Sequence, residues 1–89
     1  MKVIKIGAVW CSGCLVMRPR WKKIESTTPW LQTEYFDFDN DKEKIEKYKV
    51  GRNLPVFIFL DKNGDEIKRL TGELSEKEII KRIEEYKNE

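Results

Sequence analysis

The two cysteines of the chain, Cys11 and Cys14, stand three positions apart in Val9-Trp10-Cys11-Ser12-Gly13-Cys14. Three positions make about one helical turn, so on a helix both sulfurs project from the same face and can meet without moving the backbone far. That layout suits a disulfide that opens and closes. The reactive species is the thiolate, and it is favoured where free backbone N–H groups and the positive end of a helix point at the sulfur. Two other uses of the pair stay open. A structural zinc site needs four ligands, and with no histidine and no third cysteine a metal would have to be shared between two chains. A passive link is the weaker alternative, because so short a loop removes little entropy from the unfolded chain.

The elements around the pair look arranged to present it. Val3 to Val9 is rich in β-branched residues and reads as a strand, and from Ser12 the positions Cys14, Met17, Trp21 and Ile24 recur at helical spacing. The first cysteine therefore belongs where a strand ends and a helix begins. Pro19 is expected to kink that helix near Leu15 to Arg18, leaving Arg18, Arg20, Lys22 and Lys23 as a wetted face. Ser26-Thr27-Thr28-Pro29 reads as a turn, with Trp30 and Leu31 covering the edge of the core.

Glu34 to Phe38 alternates polar with aromatic residues and reads as a second strand, parallel to the first across a right-handed crossover. A short helix follows, opened by a capping box from Asn40 to Glu43, with Ile45 and Tyr48 inward and Gly51 as a left-handed stop. Leu54 to Leu60 is apolar on both faces, as a central strand should be, with Pro55 at its start. Asp61-Lys62-Asn63-Gly64 turns the chain into a polar edge strand, Asp65 to Thr71. Ser75 and Glu78 cap a last helix, Leu74 and Ile79 form a staple across its start, and Ile79, Ile80, Ile83 and Tyr86 make its buried stripe.

Composition narrows the function. The 89 residues are expected to form one domain, and charged residues are 38% of the chain yet nearly balanced at +2, without the basic excess of a nucleic-acid binder. The leading residues lack a long apolar core and a cleavage site, and no run approaches a membrane span. A cytoplasmic protein with neither nucleic acid nor membrane as partner is the expectation. In that reducing compartment a lone cysteine pair is more often catalytic than structural.

In this order β-α-β-α-β-β-α, the sequence resembles the thioredoxin family over nearly its whole length. The matching residues are Trp10-Cys11-Ser12-Gly13-Cys14, Pro19 in the helix, Leu54-Pro55, Asn63-Gly64 in the hairpin turn, and Gly72 after the last strand. The resemblance implies an α/β thioredoxin-like fold: a four-stranded mixed sheet flanked by three helices, without the N-terminal strand and helix of a typical member. It implies a monomeric protein-disulfide oxidoreductase whose targets are disulfide-containing proteins and whose electrons come from a thioredoxin-reductase-like donor. No cofactor beyond the disulfide itself is implied. Cys11 would attack and carry the mixed disulfide, Cys14 would resolve it, and Cys11 would be the more accessible of the two. Trp10 would form an apolar rim, Pro55 would be cis and face the cysteines, Leu54 would pair its backbone with the target, and Gly72 would leave the target space. A glutathione-linked, glutaredoxin-like protein and a C-x-x-C module for Cu(I), zinc or an iron–sulfur cluster are the alternatives.

Three departures from the family stand out. Ser12-Gly13 replaces Gly-Pro between the cysteines, freeing the first turn and placing a hydroxyl that could donate to a thiolate. Lys5 stands where the family places a buried acid and Tyr35 where it places a lysine. Lys5 shares a strand face with Gly7, so it either assists ionisation of Cys14, or reaches solvent, or pairs with Asp37. The segment from Tyr48 to Pro55 is one residue longer than the family's, so the Arg52-Asn53 loop offers a different surface to targets.

Overall fold

The computed structural model describes residues 1–88, and its sheet is built outward from β1 (Lys2–Gly7). Side chains alternate across a strand. Val3 therefore joins one core cluster while Ile4 and Ile6 join another on the opposite face. On one flank β1 pairs in parallel with β2 (Gln32–Asp37), and on the other it pairs antiparallel with β3 (Val56–Leu60). β3 in turn pairs antiparallel with β4 (Glu66–Thr71), giving the order β2-β1-β3-β4.

The two central strands are the ones buried on both faces. All five residues of β3 are buried, with Phe57 and Phe59 in the first cluster and Val56, Ile58 and Leu60 in the second. A fully buried phenylalanine such as Phe59 contributes several kcal/mol, since truncating one to alanine costs about 3–5 kcal/mol. The edges β2 and β4 carry most of the sheet's polar residues.

Helices cover both faces. α1 (Ser12–Thr27) and α3 (Glu76–Tyr86) pack over the first cluster through Met17, Trp21, Ile24, Ile79, Ile83 and Tyr86. α2 (Lys42–Lys47) covers the second through Ile45. α1 runs unbroken through Pro19. Its cationic face is not merely wet: Arg20 donates to the Leu74 carbonyl at 2.8 Å and Lys23 pairs with Glu76, tying α1 to the start of α3. Ser75 caps α3 by accepting from the Glu78 N–H at 3.1 Å, and Leu74 packs against the cluster that holds Ile79. No helix among the described residues is long and apolar enough to cross a membrane.

Several local expectations are corrected. β1 ends at Gly7, because the Cys11 N–H bonds the Ala8 carbonyl and folds Val9 and Trp10 into a turn. β2 spans Gln32–Asp37, so Phe38 lies beyond it, although it still packs on the second cluster. The N-cap of α2 is Asp41 and not Asn40, and its carboxylate accepts from the Asp37 N–H at 2.7 Å and not from its own helix. Asn40 is held instead by the Asp37 carboxylate.

The left-handed stop after α2 is Lys49, at φ 53°, and not Gly51. The Lys49 N–H bonds the Glu46 carbonyl and the Val50 N–H bonds the Ile45 carbonyl, a Schellman closure that fixes the left-handed residue two positions before the glycine. Trp30 and Ile80 are half-exposed; Leu31 and Ile79 take the buried places beside them.

Candidate active site

The turn Ala8–Cys11 delivers the chain from the end of β1 into the first turn of α1, and Cys11 is the helix N-cap. Its Sγ accepts the Cys14 N–H at 3.2 Å, so sulfur fills the place usually taken by a capping oxygen. Cys11 and Cys14 are joined as a disulfide with Cα atoms 5.3 Å apart. Any negative charge on Cys11 therefore forms against a backbone donor and the positive end of a 16-residue helix. Ser12 is exposed and makes no hydrogen bond through its hydroxyl to either sulfur.

Around this turn lies an apolar rim. Val9 and Trp10 are thrust outward by the turn and Leu15 by the helix, all at least half-exposed. Trp10 is held in place: its Nε1 donates to Asp39 at 2.8 Å, its ring meets Phe38 edge-on at 6.0 Å, and Arg52 lies 5.9 Å from its centroid. The longer loop thus reaches the site through Arg52.

On the other side, Gly13 approaches the loops before β3 and after β4. A Cβ on Gly13 would lie 3.3 Å from Pro55 Cδ and 3.3 Å from Glu73 Cγ. The Leu54–Pro55 peptide bond is cis, Pro55 is buried, and Leu54 is half-buried beside it. Gly72, at φ 100°, donates its N–H to the Pro55 carbonyl at 2.8 Å, which a residue with a side chain could adopt only under strain.

Beneath Cys14 is an open cleft of about 350 Å³, bordered by Lys5, Gly7, Trp21, Glu25, Tyr35 and Pro55. Gly7 is the residue directly under the sulfur: a Cβ there would lie 3.0 Å from Cys14 Sγ and 3.2 Å from the Tyr35 hydroxyl. Lys5 lies deeper and pairs with Glu25, not Asp37, while its ammonium sits 5.8 Å from the centre of the Trp21 ring. Glu25 also accepts from the Thr33 hydroxyl at 3.0 Å. Burial, seconded by the charge of Asp37, pushes the Tyr35 phenol above its ordinary value.

The cleft reverses the expected order of access. As whole residues, Cys11 in its capping position is only 7% exposed, whereas Cys14, which borders the cleft, is partly exposed. The structure thus gathers Trp10, Cys11, Gly13, Cys14, Leu54, Pro55 and Gly72 at one end of the sheet, and sets Lys5 further down the cleft.

Glu25, Asp39 and Glu73 were not singled out by the sequence, and Gly7 entered it only as the residue that shares a strand face with Lys5. Glu25 shared a readable signal with Cys14, since positions 14, 18, 21 and 25 follow one helical face. Asp39 and Glu73 come to the site only through folding of loops distant in sequence. Among the described residues no three side chains of histidine, cysteine, aspartate or glutamate gather as a metal site.

Comparison with known proteins agrees with this architecture. A family model described as thioredoxin matches residues 1–85. Thioredoxin H7 of Arabidopsis thaliana is 34% identical over 85 residues, covering 96% of this chain and 64% of that protein, so the chain spans under two thirds of that relative's length. Among solved structures, Fasciola hepatica thioredoxin superposes with a TM-score of 0.87 at 27% identity, over 96% of this chain and 79% of its own. Thioredoxin 1 from Thermosipho africanus superposes with a TM-score of 0.83 at 30% identity, over 99% of this chain and 96% of its own. A match that begins at the first strand and runs to the last helix takes in every element that frames the sulfur pair, and the chain belongs to the thioredoxin family.

Proposed function

We propose that this chain is a thiol–disulfide oxidoreductase that reduces disulfides in other proteins. The observation that carries the reading is the Cys11–Cys14 pair at the head of α1, with the Cys14 N–H on Cys11 Sγ and an exposed apolar rim beside it. In the first step the Cys11 thiolate attacks one sulfur of the target disulfide. The target S–S bond breaks, a mixed disulfide forms on Cys11, and the second target sulfur leaves as a thiolate. Cys14, as a thiolate, then attacks Cys11 Sγ and expels the first target sulfur. Two electrons pass to the target, the protons given up by Cys11 and Cys14 end on its thiols, and the pair closes as a disulfide. A dithiol donor of the thioredoxin-reductase kind reopens it, and the working compartment we propose is the reducing cytoplasm.

Access and ionisation point to different cysteines here, and ionisation decides the order of attack. The backbone N–H of Cys14 and the positive end of α1 both favour a thiolate at Cys11.

The test is reduction of insulin disulfides by the wild type, Cys11→Ser and Cys14→Ser, driven by NADPH with thioredoxin reductase or by glutathione with glutathione reductase. Both variants should be inactive, only Cys14→Ser should accumulate a mixed disulfide, and the first donor system should support the faster turnover. Iodoacetamide mapping of the reduced protein should modify Cys11 first. Faster alkylation of Cys14, or trapping on Cys11→Ser, refutes the proposed order.

A further inference from the structure

The rim of the site is asymmetric in charge. On the Trp10 side an anion and a cation offset one another, Asp39 accepting from the indole and Arg52 lying over its face. On the Pro55 side Glu73 is the charged side chain that reaches Gly13, while Arg18 and Lys22 line the cleft beneath Cys14. The Gly72 N–H bond to the Pro55 carbonyl fixes the backbone there, and the Glu73 side chain that follows lies along Gly13. Its Cγ is 3.3 Å and its Oε2 3.8 Å from the point a Gly13 Cβ would occupy, and Pro55 Cδ is 3.3 Å from the same point. Glu73 is exposed and has no ion-pair partner among the described residues. Arg20, the cation that binds this segment, is engaged with the Leu74 carbonyl.

From this placement, and resting on the function proposed above, we propose that Glu73 selects targets: it favours a segment carrying arginine or lysine next to the cysteine attacked by Cys11. A segment laid across Pro55 toward Cys11 must pass the Glu73 carboxylate. A basic side chain there gains a partner that the protein leaves unpaired, and an acidic one meets a like charge. Removing the carboxylate also alters the field at Cys11, but that change acts equally on every target and cancels in a ratio of rates.

The experiment uses the pre-reduced protein and two disulfide-bridged peptides differing only in having arginine or glutamate before one cysteine. Second-order rates of disulfide transfer are read in single turnover from tryptophan fluorescence. The wild type should oxidise about threefold to fivefold faster with the arginine peptide at low salt, with the ratio shrinking as salt is added. In Glu73→Gln the ratio should fall to about one, and in Glu73→Lys it should invert. Equal rates in the wild type, or a preference that survives Glu73→Gln, overturn the assignment. Failure of both peptides to oxidise the protein at all refutes the oxidoreductase reading itself, so the two failures are told apart.

Discussion

Gly7 offers the sharpest test of how the site is packed. A methyl group added there would stand 3.0 Å from Cys14 Sγ and 3.2 Å from Cys14 Cβ. The third neighbour, the Tyr35 hydroxyl at 3.2 Å, is the tip of a half-exposed side chain that can swing aside, whereas the Cys14 sulfur is held by its bond to Cys11. Overpacking of this kind costs about 1–3 kcal/mol. Gly7 lacks a positive φ, so alanine is conformationally allowed and recovers about 0.4–1 kcal/mol by restricting the unfolded chain. A net loss of roughly 1–2 kcal/mol is expected in the oxidised protein, or a fall in Tm of about 4–8 °C for each kcal/mol in a domain of this size.

Reduction frees Cys14 to turn to another rotamer, so the reduced form should lose less. Each kcal/mol of difference raises the reduction potential by about 20 mV. The assay is urea unfolding of oxidised and reduced Gly7→Ala beside a redox titration against glutathione. Gly51→Ala serves as control, since nothing lies within 4 Å of that position and its φ is not positive. It should be neutral or slightly stabilising. An oxidised Gly7→Ala as stable as the wild type, or a potential unmoved within the error of the titration, would refute the packing argument.

Lys5→Met leaves Glu25 with only the Thr33 hydroxyl and should destabilise the protein by about 1–2 kcal/mol, whereas the double variant Lys5→Met/Glu25→Gln, which removes both charges of the pair, should leave the titration of both thiols unchanged. A shifted thiol titration would instead give the ammonium a direct hand in ionising Cys14. Tyr35 predicts an alkaline effect. Burial raises its folded pKa above the ordinary 10.0, so its contribution to stability is fully present below that value and is lost as pH rises through the folded pKa. Urea midpoints from about pH 9 to about pH 11 should fall more steeply in the wild type than in Tyr35→Phe, and parallel curves would contradict it.

Most of the fold was legible because its strongest signals were unbroken or regularly spaced apolar patterns. The two-sided apolar run of β3 and the stripe Met17, Trp21, Ile24 each read correctly from spacing alone. Errors clustered where tertiary contacts choose between equivalent local options. Asn40 and Asp41 are both good caps, and the Asp37 backbone decided between them by taking the Asp41 carboxylate. A glycine at 51 was the obvious left-handed stop, yet the hydrogen-bond count of the helix end falls on Lys49. Lys5 could reach more than one carboxylate, and its partner became visible only once α1 lay over β1. The relative exposure of the two cysteines depends on how the first turn of α1 sits over the cleft, and that is invisible until the elements are assembled.

The strand that carries the sulfur-bearing turn is flanked on both sides, while β2 and β4 form the two margins of the sheet. Amide hydrogen exchange should therefore be slowest in β1 and β3, with the margins fraying first. The reactive turn is moored to the last part of the scaffold to open. Excursions that loosen the outer strands leave its geometry standing.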